Sequence, residues 1–251
     1  MKISIITAVF NSFHTIEDSL RSVMNQTYRN VEHIIIDGGS TDGTLKVVEK
    51  YGKNIYNIIS EPDRGIYDAM NKGIRAARGD IIGILNSDDL YADESVLETV
   101  AKTMSDSNVD SCYGDLVYVE RDNTEKVRRY WKSGDFHMKR FRRGWMPPHP
   151  TFFVKREVYE KCGLLNIDFP LAADYELMLR FLYKYRISTK YIPQVLVKMR
   201  TGGTSEPGMY TVKALLENYR AWKVNGLEPS LITFVLKPLS KISQFNSRRG
   251  H

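Results

Sequence analysis

Short apolar runs alternate with amphipathic stretches through the first part of the chain. The runs are rich in β-branched residues and cover residues 3–9, 31–36, 55–59 and 81–85. Each has the length and composition of a buried strand, and the stretches between them place apolar residues at helical spacing. Because neighbouring parallel strands need a crossover connection, the alternation predicts right-handed βαβ units and a mostly parallel sheet flanked by helices. This is an α/β fold of nucleotide-binding type.

The pattern changes past residue 105. Residues 110–119 and 124–131 have strand-like patterns, and a helix opens within residues 169–177. A further strand lies near residues 194–199, and a helix covers about residues 208–224. We therefore expect one domain at residues 1–205, divided near residue 105, and a C-terminal helical extension at residues 206–251.

The fourth apolar run leads directly into the polar turn Asn86-Ser87-Asp88-Asp89. Ligands of open α/β sheets bind beyond the carboxyl ends of the strands, so the two carboxylates are expected at the rim of a cleft. Neither has a nearby charge partner in the sequence, and Mg²⁺ or Mn²⁺ binds carboxylate oxygens and shares its other positions with substrate phosphates. The simpler interpretation is a turn before the helix that starts near Asp93, since Asp and Ser are common in turns and caps.

Composition limits the class of protein but does not select its partner. The 251 residues are 42% hydrophobic, which is ample for a globular core, and 36 Lys and Arg against 30 Asp and Glu give a net charge of +6. This excess suits an anionic substrate, an acidic membrane surface or nucleic acid. Two cysteines without metal spacing, no visible signal peptide and no apolar run of about 18 residues predict a cytoplasmic protein. No GxGxxG follows the first strand and no GxxxxGK[ST] occurs, which disfavours a dehydrogenase or a P-loop ATPase.

Three motifs occur in a specific order and spacing. They are SIITAVFN at residues 4–11, DGGSTDGT at residues 37–44 and NSDD at residues 86–89. Jointly they resemble the family 2 glycosyltransferases of GT-A fold. Within that family, EPDRGIYDAMNKG at residues 61–73 looks like the branch that builds bacterial exopolysaccharide and O-antigen repeat units. The resemblance is strong over residues 1–120 and looser over residues 145–205.

The resemblance implies an inverting enzyme that moves a sugar from a UDP- or GDP-sugar to a glycan or a polyprenyl-diphosphate-linked acceptor. Its cofactor would be a divalent cation, Mn²⁺ or Mg²⁺, held by Asp89, with Asp88 as its partner towards the ribose and phosphate. Residues 1–105 would be the nucleotide-binding half, and residues 106–205 the acceptor-binding half. The donor-binding residues expected on this basis are Thr7, Ala8, Asn11, Asp37, Asp63, Arg64, Asp68, Lys72, Asn86, Ser87 and Asp88.

Structural roles remain open for two of the donor loops. Asp37 could simply cap the helix that begins near Asp42. Asp63, Arg64 and Asp68 could form a salt-bridged turn, although a guanidinium at this place suits a diphosphate or ribose because it offers forked donors to oxyanions.

The chain departs from the family pattern at two positions. The acid that contacts the nucleobase in family members is replaced by Gly38, so the donor base is not carried over. The family's catalytic base lies in a Glu-Asp pair before a helix, and Ala173 replaces the first acid. The resemblance therefore carries the general base over to Asp174 alone. A helix dipole would by itself explain acids in the first turn, and Glu176 is the competing candidate.

The acceptor side is expected to contain Trp145, His149 and Arg200. Residues 145–153 resemble the family's acceptor-lining segment, although His149 could instead pin its loop. Residues 200–205 resemble a glycine-rich lid, although they could be an ordinary turn. A basic cluster with interleaved aromatic residues suits the diphosphate of an acceptor better than RNA, because no RNA-binding motif accompanies it. It consists of Lys139, Arg140, Arg142 and Arg143.

The tail from Glu228 interleaves apolar residues with lysine and arginine. This pattern predicts a helix that lies on the inner face of the plasma membrane without spanning it, which would make the enzyme peripheral. The apolar face could equally pack on the enzyme's own core or on a second subunit of a homodimer.

Two further classes of protein fit parts of the sequence. A nucleotide-sugar pyrophosphorylase shares the α/β plan, but its glycine-rich, basic phosphate loop is not found between Thr7 and Thr15. A basic RNA-binding or scaffold protein with a vestigial site is the non-enzymatic alternative.

Overall fold

The computed structural model describes residues 1–202 and 212–229. Its strands are β1 (Ile3–Val9), β2 (Val31–Asp37), β3 (Asn57–Ser60), β4 (Ile81–Ile84), β5 (Leu90–Tyr91), β6 (Ser111–Val119), β7 (Val127–Trp131), β8 (Phe153–Lys155) and β9 (Thr189–Arg200). Its α-helices are α1 (Ile16–Met24), α2 (Thr44–Lys50), α3 (Ile66–Ala76), α4 (Val96–Ser107), α5 (Met138–Phe141), α6 (Arg156–Cys162), α7 (Ala173–Met178) and α8 (Val212–Val224). Two 3-10 turns lie at Gly52–Asn54 and His149–Thr151, and a π-helical segment at Leu179–Lys184 continues α7.

The first four strands form a parallel half-sheet. β1 pairs with β2 and β4, and β2 pairs with β3, all in parallel. The side chains of β1 and β4 are buried on both faces, which is why these runs show no polar alternation in the sequence. α3 packs closely on this half because Gly73 has no side chain, and a Cβ there would overlap Ile6 Cγ2. The carboxyl ends of the four strands lie along one edge, so the loops that follow them meet there.

The other half of the sheet is mixed. The order continues from β4 through β8, β6 and β9 to β5, with β7 also paired to β6. β6 and β9 are parallel, whereas β8, β7 and β5 join antiparallel to their neighbours. The expectation of a mostly parallel sheet therefore holds throughout the first half and, in the second half, for the pair of β6 and β9. Short strands such as β7 enter by a hairpin, which does not need the crossover helix that a parallel neighbour requires. The predicted α/β class, a sheet with flanking helices, is confirmed.

β9 begins five residues before its predicted start at residue 194, and its pairing explains why. The ladder between β6 and β9 shifts register around Gly114 and Asp115, opposite Pro193. A proline cannot donate to a ladder, and it normally argues against a central strand in a sequence. The sequence pattern therefore identified only the part of β9 that follows Pro193.

Two apolar clusters cover opposite faces of the sheet. Ile6 belongs to one cluster and Ile5 to the other, as expected for neighbours along a strand. α8 packs on α7, where Trp222 Nε1 donates to Tyr175 Oη at 2.8 Å. The described part of the predicted C-terminal extension is thus attached to the helix that carries Asp174. None of the helices in the described ranges is both long and apolar enough to cross a bilayer. The rest of the lid and the tail, at residues 203–211 and 230–251, lies outside the described residues.

Candidate active site

The turn after β4 contains a buried carboxylate without a full set of partners. Asp89 has no exposed surface, and its Oδ2 accepts from Asn86 Nδ2 at 3.1 Å. Within the part of the chain that is described, Asp89 Oδ1 and Asn86 Oδ1 have no hydrogen-bond partner. Burial, followed by the charge of Asp88, raises the pKa of Asp89 well above its usual range. Two buried oxygens without a hydrogen-bond partner, next to a second carboxylate, fit a cation.

Few protein ligands are available for such a cation. Among the described residues, no group of three or more His, Cys, Asp or Glu side chains is placed to hold a metal ion. Asp88, Asp89 and the side-chain Oδ1 of Asn86 would therefore supply only some of the ligands of the cation. This matches hard divalent ions that complete their coordination with water and substrate phosphates.

Arg200 anchors the turn that contains Asp88 and Asp89. Its side chain is buried, its Nη1 donates to Asp88 O at 2.8 Å, and its Nε donates to Arg121 O at 2.9 Å. Its Nη2 also pairs with the Asp18 carboxylate. The guanidinium is thus placed beside the acidic turn, and its expected role in acceptor binding stays a prediction.

Ser12 and Asn11 connect the strand ends. Ser12 Oγ shares a hydrogen bond with Ser87 Oγ at 2.7 Å, and Ser12 N donates to Thr44 Oγ1 at 2.8 Å. Asn11 adopts a positive φ of 47° and accepts at Oδ1 from Thr41 N at 2.9 Å. These bonds fix the loops after β1, β2 and β4 relative to one another.

Asp37 organises the loop after β2. It is completely buried, and its carboxylate accepts from Gly39 N, Ser40 N and, at 2.7 Å, Ser60 Oγ. Its main-chain oxygen accepts from Glu61 N at 3.0 Å. The carboxylate therefore closes a turn at residues 38–40, and its expected contact with the donor stays a prediction.

Charged residues of α3 hold the loop at residues 61–65 in place. Asp68 Oδ2 accepts from Arg64 N at 3.1 Å, and Lys72 Nζ donates to Pro62 O at 2.9 Å and pairs with Glu61 at 2.8 Å. The Arg64 side chain is 76% exposed and lies 3.8 Å from Asp68. Asp68 and Lys72 thus anchor the loop, and Arg64 extends into solvent.

Asp63 lies in the same loop and faces the end of β2. Its Oδ1 accepts from Gly65 N at 2.8 Å. Its Oδ2 occupies the space where a Cβ of residue 38 would lie.

Thr7 and Ala8 lie inside the sheet. Thr7 is completely buried, and its Oγ1 is hydrogen-bonded to His33 Nε2 at 2.9 Å. Burial lowers the pKa of His33 to about 3, so this histidine is neutral. A contact of these side chains with the donor stays a prediction.

Asp174 lies in the first turn of α7, near residues of both halves of the chain. Its Oδ1 accepts from Tyr67 Oη at 3.3 Å and from Tyr175 N at 2.8 Å. His149 is close enough for the charge of Asp174 to oppose the lowering of its pKa, which burial causes. Glu176 is buried and pairs with Arg180 at 2.9 Å, and it also accepts from Asn225 at 2.9 Å. It is therefore engaged in holding α7.

Trp145 and the basic cluster flank α7. Trp145 is half-buried, its Nε1 donates to Ser133 O at 2.9 Å, and the Arg140 guanidinium lies 4.8 Å from its ring centre. Phe141 is buried with its ring centre 6.1 Å from that of Tyr175. The exposed cations of the cluster are therefore anchored beside the residue that follows Asp174.

Sequence reasoning missed three features of this region. Tyr67 was seen only as part of a motif. Phe10 directly follows β1 at the carboxyl edge of the parallel half-sheet, and the residue is 63% exposed. Asp115 is a buried carboxylate in β6 that accepts from Tyr130 Oη at 2.6 Å and Tyr191 Oη at 2.9 Å. An aromatic residue at a strand end and a lone acid inside an apolar strand were the available signals.

A half-parallel sheet with an acidic turn at its carboxyl edge, and a second acid on α7 that is bonded to α3, is an arrangement that fits a glycosyltransferase of GT-A fold. The model of the family "Glycosyl transferase family 2" matches residues 4–163, and the chain belongs to that family. A protein of Mycobacterium tuberculosis described as an uncharacterized glycosyltransferase is 33% identical over 180 residues, which are 71% of this chain and 68% of the relative.

Solved structures agree with the fold. The S. aureus TarS 1-349 structure in complex with UDP-GlcNAc matches with a TM-score of 0.70 and 17% identity, over 100% of this chain and 76% of that one. The mannosyltransferase PcManGT from Pyrobaculum calidifontis, in complex with GDP-Man and Mn²⁺, matches with a TM-score of 0.66 and 19% identity, over 99% of this chain and 70% of that one. The predicted family and GT-A fold are confirmed, and the chain is a transferase. Its family membership favours the glycosyltransferase over the pyrophosphorylase and the RNA-binding protein.

Proposed function

We propose that the enzyme transfers a sugar, with inversion, from a nucleoside diphosphate donor to a hydroxyl of a glycan or polyprenyl-diphosphate-linked acceptor in bacterial surface polysaccharide synthesis. One observation carries this proposal. Asp89 lies in the turn after β4, and its buried Oδ1 has no hydrogen-bond partner among the described residues, while α3, which begins at the same edge of the sheet, contacts Asp174 through Tyr67. These contacts support a site for an anionic leaving group at the acidic turn and a carboxylate for the acceptor hydroxyl that is connected to the same edge through α3.

The donor and cation are supported by chemistry and by the solved neighbours. TarS is found with UDP-GlcNAc, and PcManGT with GDP-Man and Mn²⁺. In this chain Asp89, Asp88 and Asn86 would hold Mn²⁺ or Mg²⁺. The ion would supply positive charge to the diphosphate as the glycosidic bond breaks. The exposed Phe10 ring offers an apolar face near the nucleoside.

Asp174 acts as the general base. An inverting displacement needs one base on the acceptor face, which removes the proton of the attacking hydroxyl while the diphosphate leaves from the other side. Tyr67 and the Tyr175 amide both bind Oδ1. The orientation of the carboxylate is thereby fixed, and Oδ2 is the oxygen that takes the proton.

The acceptor's diphosphate binds the basic cluster. Lys139, Arg142 and Arg143 are exposed, and Phe141 anchors their loop against α7. Cations at this place, next to the helix of the base, attract an anionic acceptor end and orient its sugar hydroxyl towards Asp174.

The test is transfer and donor binding by the purified full-length chain. A panel of UDP- and GDP-sugars is screened by thermal shift and turnover with Mn²⁺, with Mg²⁺ and with a chelator. We expect cation-dependent stabilisation by at least one donor and release of its nucleoside diphosphate. Asp89→Ala is the matched variant, and it should stay folded and inactive.

Three results would contradict the proposal or a part of it. Stabilisation by none of the donors would remove the proposed UDP- or GDP-sugar donor. Release of pyrophosphate from a nucleoside triphosphate and a sugar 1-phosphate would assign the pyrophosphorylase reaction instead. Retention of the donor's anomeric configuration, read by NMR of the product, would refute inversion.

A further inference from the structure

We propose that Asp63 reads the nucleobase of the donor. Its Oδ2 accepts the imino N–H of the base, which uracil and guanine carry and which cytosine and adenine lack. This inference rests on the proposed function, because it assigns the base specificity of the same donor site. Gly38, Gly65 and the end of β2 provide the observations that support it.

The absence of a side chain at residue 38 has a steric cause. A Cβ on Gly38 would overlap Asp63 Oδ2 and lie 3.1 Å from Asp63 Cγ. Gly38 is not among the glycines with positive φ, so its backbone conformation does not require glycine. The Asp63 carboxylate therefore occupies the side-chain space of residue 38.

The direction of this carboxylate is fixed. Oδ1 accepts from Gly65 N at 2.8 Å, and Gly65 has a φ of 109°, a conformation that favours glycine. Lys72 holds Pro62 O at 2.9 Å, and Glu61 N donates to Asp37 O at 3.0 Å. None of the residues that the structure describes donates a hydrogen bond to Oδ2. One oxygen is thus used by the loop, and the other is left for a ligand.

The strand order places the base at this oxygen. A diphosphate at Asp88 and Asp89 lies at the end of β4, and β1 and β2 follow it on one side. Neighbouring strands are about 4.8 Å apart, so the end of β2 lies about 10 Å away, across which the ribose reaches. On the other side of β4 lie β8 and the preceding turn with His149, near Asp174. The nucleoside therefore extends towards β2 and Asp63.

The other acid at this edge cannot take this role. Asp37 is completely buried, and its carboxylate already accepts from Gly39, Ser40 and Ser60. An ionised carboxylate only accepts hydrogen bonds, so Asp63 selects a base whose ring nitrogen donates. Cytosine N3 and adenine N1 present lone pairs, which the carboxylate repels.

The experiment measures binding of UDP, GDP, CDP and ADP to the full-length protein with Mn²⁺ by calorimetry. We expect UDP or GDP to bind at least about 10-fold more tightly than CDP and ADP, as for a hydrogen bond to a charged group. Asp63→Asn keeps an oxygen for Gly65 N and replaces Oδ2 by a donor. This variant should bind the preferred nucleotide about 10- to 100-fold more weakly, and it should bind CDP with unchanged or higher affinity. Glu61→Gln, which removes a carboxylate from the same loop, should keep the wild-type preference.

A relocated carboxylate provides the second test. Asp63→Gly should lose the preference, and the double variant Asp63→Gly/Gly38→Asp should recover it, because the acid then enters the same space from β2. Equal binding of all four nucleotides to the wild type, or an unchanged preference in Asp63→Asn, would overturn the inference and leave the proposed function intact. Binding of none of the four nucleotides would remove both.

Discussion

The Tyr67 hydroxyl donates a hydrogen bond to Asp174 Oδ1 over 3.3 Å, between residues that are 107 positions apart in the chain. Tyr67 lies in the first turn of α3, directly after the loop that contains Asp63 and Arg64. Asp174 lies in the first turn of α7, on which α8 packs. The donor loop and the proposed base are thus joined through α3.

Replacing the proposed base should separate binding from chemistry. We expect Asp174→Asn to keep the donor affinity nearly unchanged, because the carboxylate lies on the acceptor side. Turnover should fall by about 100-fold or more, as for loss of a positioned base. The measurement is steady-state turnover together with calorimetric donor binding.

Glu176→Gln is the matched control for this variant. Glu176 forms a buried pair with Arg180, so we expect a loss of about 3 kcal/mol in the free energy of unfolding and near-normal turnover per folded molecule. Near-normal turnover of Asp174→Asn with an inactive Glu176→Gln would reassign the base to Glu176.

Asp89 should make the protein respond to a divalent cation. We expect Mn²⁺, alone or with a nucleoside diphosphate, to raise the melting temperature by about 5 °C or more at 100-fold excess over its Kd. Asp89→Asn should not respond and should lose turnover by about 100-fold or more, because the ion's charge no longer reaches the diphosphate. Equal shifts in both proteins would contradict a metal role for Asp89.

The pH dependence of the cation-free protein should reveal the same group. The pKa of Asp89 is raised in the folded protein, so the folded state binds its proton more tightly than the unfolded chain does. Above the unfolded value of about 4, this group therefore lowers the free energy of unfolding as pH rises towards its folded pKa. As pH rises through this window, the free energy of unfolding of the wild type should fall relative to that of Asp89→Asn, and Mn²⁺ should abolish this fall. Urea denaturation at several pH values measures the difference, and a difference independent of pH would count against it.

Arg200 should act on the cation through the acidic turn. Arg200→Lys keeps the charge but loses the fork that reaches Asp88 O, Arg121 O and Asp18 together. We expect the apparent Mn²⁺ affinity to fall by about 10-fold, as for partners that orient metal ligands. Lys198→Gln, on the same strand and paired with Glu125, is the control. Unchanged Mn²⁺ dependence in Arg200→Lys would show that the turn holds its shape without the fork.

The tail should confer membrane binding. Removing residues 230–251 deletes most of the amphipathic segment and keeps Glu228, which pairs with Lys223 at 3.2 Å. We expect the full chain to float with anionic liposomes and the shortened chain to remain in the bottom fraction of the gradient. Neutral liposomes serve as the control. Equal flotation of both proteins would favour the alternative that the apolar face packs on protein.

The parallel half of the fold could be predicted because three of its four strands, β1, β2 and β4, are buried on both faces. Uninterrupted β-branched runs such as Ile3–Val9 mark such strands, and the turn at Asp88 and Asp89 follows from where the fourth run ends. The mixed half gave weaker signals. β7 carries exposed basic residues, and Pro193 interrupts the pattern of β9.

The side-chain partners of the site could not be predicted in the same way. The bond between Tyr67 and Asp174 depends on how α3 and α7 lie across the sheet, and the Arg200 fork depends on the end of β9 reaching the β4 turn. Such contacts join positions far apart in sequence, and no local pattern encodes them. Gly38 is an instructive case, because the sequence showed a missing acid and only the structure shows that Asp63 fills the space.

The overlap between residue 38 and Asp63 also restricts how this enzyme can change over generations. A carboxylate at residue 38 and Asp63 in its present orientation would occupy the same volume, so a lineage that gains the first must move or lose the second. If Asp63 is lost first, the intermediate enzyme has an acid at neither position, and we expect it to accept every base. The two positions should therefore be inherited as a unit, and single substitutions should rarely move the enzyme from one nucleotide pool to another.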